Sequence, residues 1–139
     1  TLKRYNPAQA QLIRDEKVIL FPDALIRLER GEQEALFFIE YHDEENGWGA
    51  AKKVRTYEAA CESGLWEDAW LVENFPVVLA VFQHESIGKA YRAAIAELRS
   101  INCTTFYGRS LSGFCQAGGM GDWVNIEKGS RENIFPWLE

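Results

Sequence analysis

The sequence lacks the features of a membrane-spanning, secreted or disulfide-stapled protein. No apolar run approaches the roughly 18 residues that a membrane helix needs, and residues 1–5 contain no apolar signal-peptide core. We therefore expect a cytoplasmic protein with no membrane partner. The three cysteines, Cys61, Cys103 and Cys115, form no CxxC pair and leave an odd thiol. This argues against a disulfide framework and a zinc knuckle, so we expect small buried residues at these positions.

An excess of positive charge is also absent. The chain has 139 residues, of which 47% are apolar and 26% charged, as is usual for one globular domain with a buried core. Its formal net charge of −6 argues against a general nucleic-acid coat protein, because phosphate contacts supply most non-specific affinity. A local cluster such as Lys52, Lys53 and Arg55 is still able to bind nucleic acid. Because residue 1 is threonine, we expect a processed or excised portion of a longer protein.

Two stretches joined by a short turn predict a β-hairpin. Apolar residues 24–28 and 35–41 flank the sequence Arg30-Gly31-Glu32-Gln33. Gly31 occupies the first central position of a two-residue turn, where a type II′ turn requires a positive φ. In that register the numbers of facing residues sum to 63, so Asp23 lies opposite Glu40.

Alternation along the hairpin places Asp23, Glu40 and His42 on one face. The opposite face carries mostly apolar residues and is interpreted as the core side. Facing carboxylates destabilise a sheet unless something binds them, and Mg²⁺ is often held by one or two carboxylates plus substrate phosphates. This favours a metal site for phosphodiester chemistry. The alternative interpretation is that Asp23 and Glu40 are solvated strand ends that share no ion, and that His42 is a satisfied surface or core group.

The remaining patterns predict an α/β fold with a mixed β-sheet flanked by helices on both sides. Asn6 and Pro7 are typical of a helix start, and Gly64 and Ser86 mark a helix end and a second helix start. Residues 65–75 are predicted to be irregular, and the glycine-rich residues 116–122 to form a turn. The predicted helices cover residues 8–14, 49–62 and 87–99, and the predicted strands residues 17–21, 24–29, 35–41, 77–82, 103–107 and 123–126.

This order, an α-β-β-β-α-β core with a further helix and strand, resembles the PD-(D/E)XK or restriction-endonuclease-like superfamily. Within it, the chain resembles the replication-relaxation family of plasmid and mobile-element proteins over residues 18–106. The motifs that carry the resemblance are residues 21–25 (FPDAL), 37–42 (FFIEYH), 53–57 (KVRTY) and 76–82 (PVVLAVF). Family members usually have a winged-helix DNA-binding domain before this one, and the first 16 residues are too few to form it.

The resemblance implies a DNA-processing domain in which Asp23 and Glu40 hold Mg²⁺ or Mn²⁺. The superfamily places a lysine two residues after the glutamate, where this chain has His42. Lys53 resembles the migrated lysine of some branches and would stabilise transition-state charge, with His42 as a base or metal ligand. A purely structural alternative for Lys53 is a side chain that covers the ring of Tyr57, four residues along the same helix.

Two other classes of function remain open at this stage. One is a nuclease-like module without turnover that binds DNA or a replication partner protein through Lys52, Lys53 and Arg55. The other is an interaction domain in which the five tryptophans form a protein interface.

Overall fold

A computed structural model describes residues 1–98, 104–117 and 121–135. In chain order the elements are β1 (Leu2–Arg4), α1 (Pro7–Ala10), β2 (Leu12–Arg14), β3 (Lys17–Leu20), β4 (Ala24–Arg30), β5 (Gln33–His42), α2 (Trp48–Ser63), α3 (Trp66–Trp70), β6 (Val77–Phe82), α4 (Glu85–Glu97), β7 (Phe106–Ser110), α5 (Leu111–Ala117), β8 (Trp123–Asn125) and β9 (Arg131–Glu132).

The main sheet has the strand order β1-β4-β5-β6-β7-β8-β9, and β2 pairs with β3 separately. Strand β4 is antiparallel to β1 and β5, whereas β5, β6 and β7 are mutually parallel. Strands β8 and β9 continue the sheet in antiparallel pairs. The predicted α/β class and mixed sheet flanked by helices are confirmed.

The hairpin register is confirmed. Ala24 pairs with Ile39 and Arg30 with Gln33, so the numbers of facing residues sum to 63. Gly31 has φ of +63°, and Glu32 is not among the residues with positive φ. A positive φ at the first central position alone is the type II′ pattern that the sequence indicated.

The prediction of a single core side is only partly right, because both faces of the sheet carry buried clusters. The larger core cluster lies on the face that carries Phe38 and Glu40, where α2, α3 and α4 pack. A smaller cluster on the opposite face includes Phe37 and is covered partly by α5. Both crossovers, β5-α2-β6 and β6-α4-β7, proceed in the same direction along the sheet. Right-handed crossovers of this kind place both helices on one face, which residue alternation alone does not reveal.

Strand β6 and helix α2 follow their predictions closely. Val77–Phe82 has the predicted bounds and contributes to the clusters on both faces, as expected of a central strand. Helix α2 begins one residue earlier and ends one residue later than predicted. It ends at Gly64, whose φ of +71° is the left-handed conformation that favours glycine.

The amino-terminal prediction is only partly right. Asn6 forms a capping box with Gln9, as its position before Pro7 indicated. The helix ends at Ala10 instead of residue 14, because residues 12–14 form β2 and turn back into β3 through two residues with positive φ, Asp15 and Glu16. The strand predicted at residues 17–21 therefore belongs to the small sheet. In the main sheet β4 pairs with β1, a strand that the sequence analysis did not predict.

Other boundaries also differ from prediction. Helix α4 begins after His84, and the predicted cap Ser86 instead donates a hydrogen bond to the carbonyl of Glu45. Residues 66–70 form α3, with Trp66 donating to the carbonyl of Cys61. Strand β7 covers 106–110 where 103–107 was predicted, and β8 is one residue shorter than predicted. Residues 118–120 of the predicted glycine-rich turn lie outside the described residues, as do 99 and 103.

The cysteine prediction needs correction. Cys61 is buried as expected, but it is disulfide-bonded. Cys115 is a free, exposed thiol on α5, and Cys103 lies outside the described residues. An odd number of cysteines excludes a fully paired framework but not a single bond. Within the described ranges, no helix has the length and apolar character to cross a membrane.

Candidate active site

Glu40 is the centre of the candidate site, because it is a carboxylate buried under helices α2 and α4. It lies on β5 opposite Ala80 of β6 and is only 1% exposed. Its Oε1 accepts a hydrogen bond from the Tyr57 hydroxyl at 2.5 Å and lies 3.3 Å from Nζ of Lys53. The interpretation of Glu40 as a solvated strand end is therefore wrong.

Helix α2 brings Lys53 and Tyr57 to the same oxygen because residues four apart share a helix face. Tyr57 is fully buried and packs edge-on against Phe106, and its ring also contacts Phe38. The Lys53 side chain is 30% exposed and lies at the rim of that face. Lys53 thus has its ammonium at the buried carboxylate and a side chain that is partly exposed to solvent. The structure places the candidate lysine beside the candidate glutamate.

The surroundings of Glu40 raise its pKa into the neutral range. The pKa of Glu40 is raised from 4.5 to about 7, mainly by burial and to a smaller extent by the charge of Asp23. The hydrogen bond from Tyr57 and the charge of Lys53 act in the opposite direction but do not outweigh burial. The pKa of Tyr57 is raised well above its ordinary value by burial and then by the charge of Glu40. A carboxyl that titrates near neutral pH beside a lysine is common at catalytic sites.

Asp23 lies just before β4 and is exposed to solvent. Its Oδ2 accepts a hydrogen bond of 2.8 Å from the backbone N–H of Tyr41. The side chain thus satisfies a donor on β5 beyond the point where the β4–β5 pairing ends, which gives Asp23 a structural role. Its charge also affects the pKa of Glu40, Tyr57 and Tyr91, so it belongs to the same electrostatic site.

The donor atoms suit a hard divalent cation. Asp23 Oδ1 and Glu40 Oε2 make no hydrogen bond or ion pair with the described residues. Proteins usually bind Mg²⁺ with only one or two carboxylates, and substrate phosphate and water supply the other ligands. Two carboxylate oxygens match this number. A cluster of three or more acidic, histidine or cysteine ligands does not occur within residues 1–98, 104–117 and 121–135. The residues therefore fit an ion that is shared with substrate rather than one that the protein holds alone.

His42 lies on the same face of β5 but is occupied by other groups. Its Nδ1 contacts Glu44 Oε1 at 2.5 Å, and its Nε2 contacts the Tyr91 hydroxyl at 2.6 Å. The ring is only 4% exposed. Partial burial raises the pKa of Glu44, but its bonds to His42 and the backbone outweigh this and lower it overall. Both ring nitrogens are engaged, so His42 links β5 to α4. Its role as a base or metal ligand stays a prediction.

The predicted basic flank of α2 divides into two parts. Lys53 faces Glu40, whereas Lys52 and Arg55 are exposed and line a shallow groove with Trp48. Trp48 is 86% exposed. By contrast Trp66, Trp70 and Trp123 are core residues, so these three form no exposed interface with Trp48. The fifth tryptophan, Trp137, lies outside the described residues.

Tyr57, Glu44 and Tyr91 are site residues that the sequence reading missed. The sequence analysis considered Tyr57 only as a ring that Lys53 covers, which overlooks its hydroxyl. The available signal was its spacing of four residues from Lys53. No comparable signal marks Tyr91, because its contact with His42 depends on how α4 packs on the sheet.

Comparison with known proteins identifies no relative: no family model matches the chain, and no curated protein or solved structure is significantly similar to it.

Proposed function

We propose that this chain is a restriction-endonuclease-like domain that hydrolyses phosphodiester bonds in DNA with Mg²⁺ or Mn²⁺. The observation that carries the proposal is the buried Glu40 carboxylate with the Lys53 ammonium 3.3 Å from its Oε1. Asp23 at the start of β4, Glu40 on the next strand and a lysine from the following helix match the order of the superfamily's acidic and basic groups. A replication or relaxation role on plasmids or mobile elements is proposed on the sequence resemblance alone.

In this proposal Asp23 and Glu40 hold the ion, and Lys53 contacts the scissile phosphate. The ion, when bound, supplies a Lewis acid for the phosphoryl oxygen and an activated water. Lys53 stabilises the negative charge that develops on the phosphate, because its side chain is partly exposed and its ammonium is already fixed beside the site. Tyr57 holds Glu40 in place through the 2.5 Å hydrogen bond. Asp23 is held by the N–H of Tyr41.

The pKa of Glu40 implies a pH dependence for the proposed activity. A metal ligand must be ionised, and Glu40 has a pKa of about 7. Metal affinity and cleavage should therefore rise with pH through this value. Below this pKa, a proton competes with the ion for the carboxylate of Glu40.

A second candidate function is a DNA-binding module without turnover. It is favoured by the exposed Trp48 with Lys52 and Arg55 in one groove of helix α2. Exposed aromatic rings beside cations bind nucleic acid by stacking and phosphate contact. In that case Lys53 would contribute only to the local positive charge.

The deciding experiment is cleavage of supercoiled plasmid in Mn²⁺ by the wild type, Lys53→Met and Glu40→Gln. Lys17→Met is the matched control, because Lys17 is an exposed lysine on β3 and belongs to neither candidate surface. We expect Lys53→Met to lose cleavage by roughly 10²–10³-fold, the effect of removing one charge-stabilising group, and Lys17→Met to retain it. Circular dichroism would establish that each variant is folded.

Two results would contradict the proposal that this chain is a nuclease. If the wild type cleaves no faster than Glu40→Gln but binds DNA through Lys52 and Arg55, the binding module is correct. If the wild type neither cleaves nor binds DNA at low salt, both candidates fail and an interaction with a replication protein remains.

A cytoplasmic location stays a prediction. The disulfide-bonded Cys61 weighs against it, because disulfides are rare in reducing compartments.

A further inference from the structure

A second cationic surface lies apart from the Glu40 site, in a groove of about 470 Å³ between helix α4 and strands β7, β8 and β9. Lys89 and Arg92 line it from the helix, and Arg131 lines it from β9. Its apolar lining comes from Phe82, Val124 and Ile126. We name this surface, defined by these six residues, the α4 groove.

Gly88 and Gly108 allow close packing beneath the α4 groove, where a side chain would not fit. A Cβ at Gly108 would lie 3.1 Å from both Phe82 and Ile126, and a Cβ at Gly88 would lie 2.9 Å from Phe82. Both distances are shorter than ordinary packing contacts. Helix α4 therefore lies close to the sheet at Gly88, and no side chain rises from the floor at Gly108. The groove stays open between its two cationic walls.

The side chains of Lys89, Arg92 and Arg131 are exposed and make no salt bridge or hydrogen bond with the described residues. Glu85 also lines the groove, four residues before Lys89 on α4. It forms no salt bridge with any of the three cations. Lys89 and Arg92 also lie three residues apart on one helix, where like charges destabilise the helix. Such a concentration of cations in a chain of net charge −6 is expected where an anion binds.

We propose that the α4 groove binds the sugar–phosphate backbone of single-stranded nucleic acid. The groove is open to solvent and has cations on both walls, and positively charged grooves of this kind track the backbone of single strands. Its volume of about 470 Å³ is small, which favours a short stretch of a single strand. Phe82 and Ser110 end the parallel strands β6 and β7, so the groove shares a sheet edge with the end of β5 and the start of β4. The inference rests on the proposed function only for the identity of the strand, which would be part of the cleaved DNA.

The test measures binding of a fluorescein-labelled 20-mer of thymidine by anisotropy, in EDTA and over a range of salt concentrations. The test variant carries Lys89→Gln, Arg92→Gln and Arg131→Gln. The control variant carries Arg4→Gln, Arg14→Gln and Lys17→Gln, which neutralise three exposed cations on β1, β2 and β3. We expect the salt slope of log K to fall by about 2 in the test variant, because each phosphate contact on a single strand contributes about 0.7. The control should bind like the wild type.

Equal slopes in the test variant and the wild type would overturn the inference, as would an equal loss in the control. Inorganic polyphosphate is the second probe. If it displaces the 20-mer from the wild type as well as unlabelled 20-mer does, the groove is a general anion site, and the nucleic-acid assignment is wrong. If the triple variant does not fold by circular dichroism, Arg131→Gln alone should lower the slope by about 0.7.

EDTA separates this result from that of the nuclease proposal. Without a divalent ion no cleavage occurs. In EDTA, the salt slope of log K for Lys53→Met should differ from that of the wild type by no more than about 0.7, the contribution of one phosphate contact. Groove binding without plasmid cleavage would refute only the nuclease, and cleavage without groove binding would refute only this inference.

Discussion

Replacing Glu40 with glutamine should change how the stability of the protein depends on pH. Burial raises the pKa of this carboxyl from 4.5 to about 7 in the folded chain. Between these values the folded state keeps a proton that the unfolded state has released, so the free energy of unfolding falls as the pH rises. Glutamine has a similar shape, accepts the Tyr57 hydrogen bond and carries no proton that titrates. The variant should lack this part of the pH dependence.

The magnitude follows from the two pKa values. A tenfold change in an equilibrium is about 1.4 kcal/mol, so full ionisation of the buried Glu40 costs about 3 kcal/mol of stability above pH 8. At pH 5 most of this cost is absent, because the folded carboxyl is protonated. From pH 5 to pH 8 the free energy of unfolding of Glu40→Gln should therefore rise by about 2.5 kcal/mol relative to the wild type.

Urea unfolding at pH 5, 6, 7 and 8 measures this difference directly. Glu34→Gln is the matched control, because Glu34 is at the other end of β5 and its side chain is 50% exposed. Subtracting the wild-type curve removes the contribution of all other titrating groups. The assignment of a raised pKa to Glu40 would be refuted if the difference in free energy of unfolding between Glu40→Gln and the wild type did not change with pH. It would also be refuted if Glu34→Gln showed the same change.

Three further predictions concern the same elements. Tyr57→Phe should destabilise the protein by about 1.5–3 kcal/mol above pH 8, where it removes a hydrogen bond to a charged group, and should raise the pKa of Glu40 as followed by NMR titration. Gly31→Ala should destabilise by about 1 kcal/mol in urea unfolding, because φ is +63° at this turn; an unchanged midpoint would mean that the turn adapts. Mn²⁺ should raise the melting temperature more at pH 8 than at pH 6, and Glu40→Gln should abolish this shift, because only the ionised folded carboxylate binds the ion.

The hairpin was predictable because its determinants are local. Gly31 specifies the turn, and the turn specifies the register from Ala24–Ile39 to Arg30–Gln33. Strand β6 was likewise visible as a continuous apolar run between Pro76 and polar residues. In both cases the information lies within a few neighbouring positions.

The amino-terminal arrangement was not predictable in the same way. Residues 12–14 have a pattern that suits a helix or a strand, and their pairing with β3 depends on positive φ at Asp15 and Glu16. Neither residue is glycine, so no turn signal was evident. The pairing of β1 with β4 is a contact between residues more than 20 positions apart, which no local pattern specifies.

The sequence indicated Asp23, Glu40 and Lys53 as candidates, but it indicated neither Tyr57 and Tyr91 nor the environment of the site. Register placed Asp23 beside the strand of Glu40, and the resemblance implied Lys53. The burial of Glu40 depends on α2 and α4 covering the same sheet face, and this raises its pKa. The engagement of His42 by Tyr91 likewise depends on the position of α4. Side-chain environments of this kind are set by packing between elements rather than by sequence spacing.

The most direct test of the central claim is the anomalous scattering of a crystal soaked in Mn²⁺. The proposed function predicts an ion within coordination distance of both Asp23 and Glu40, close to the ammonium of Lys53. An empty site between these two carboxylates at millimolar Mn²⁺ and pH 8, where Glu40 is ionised, would contradict it.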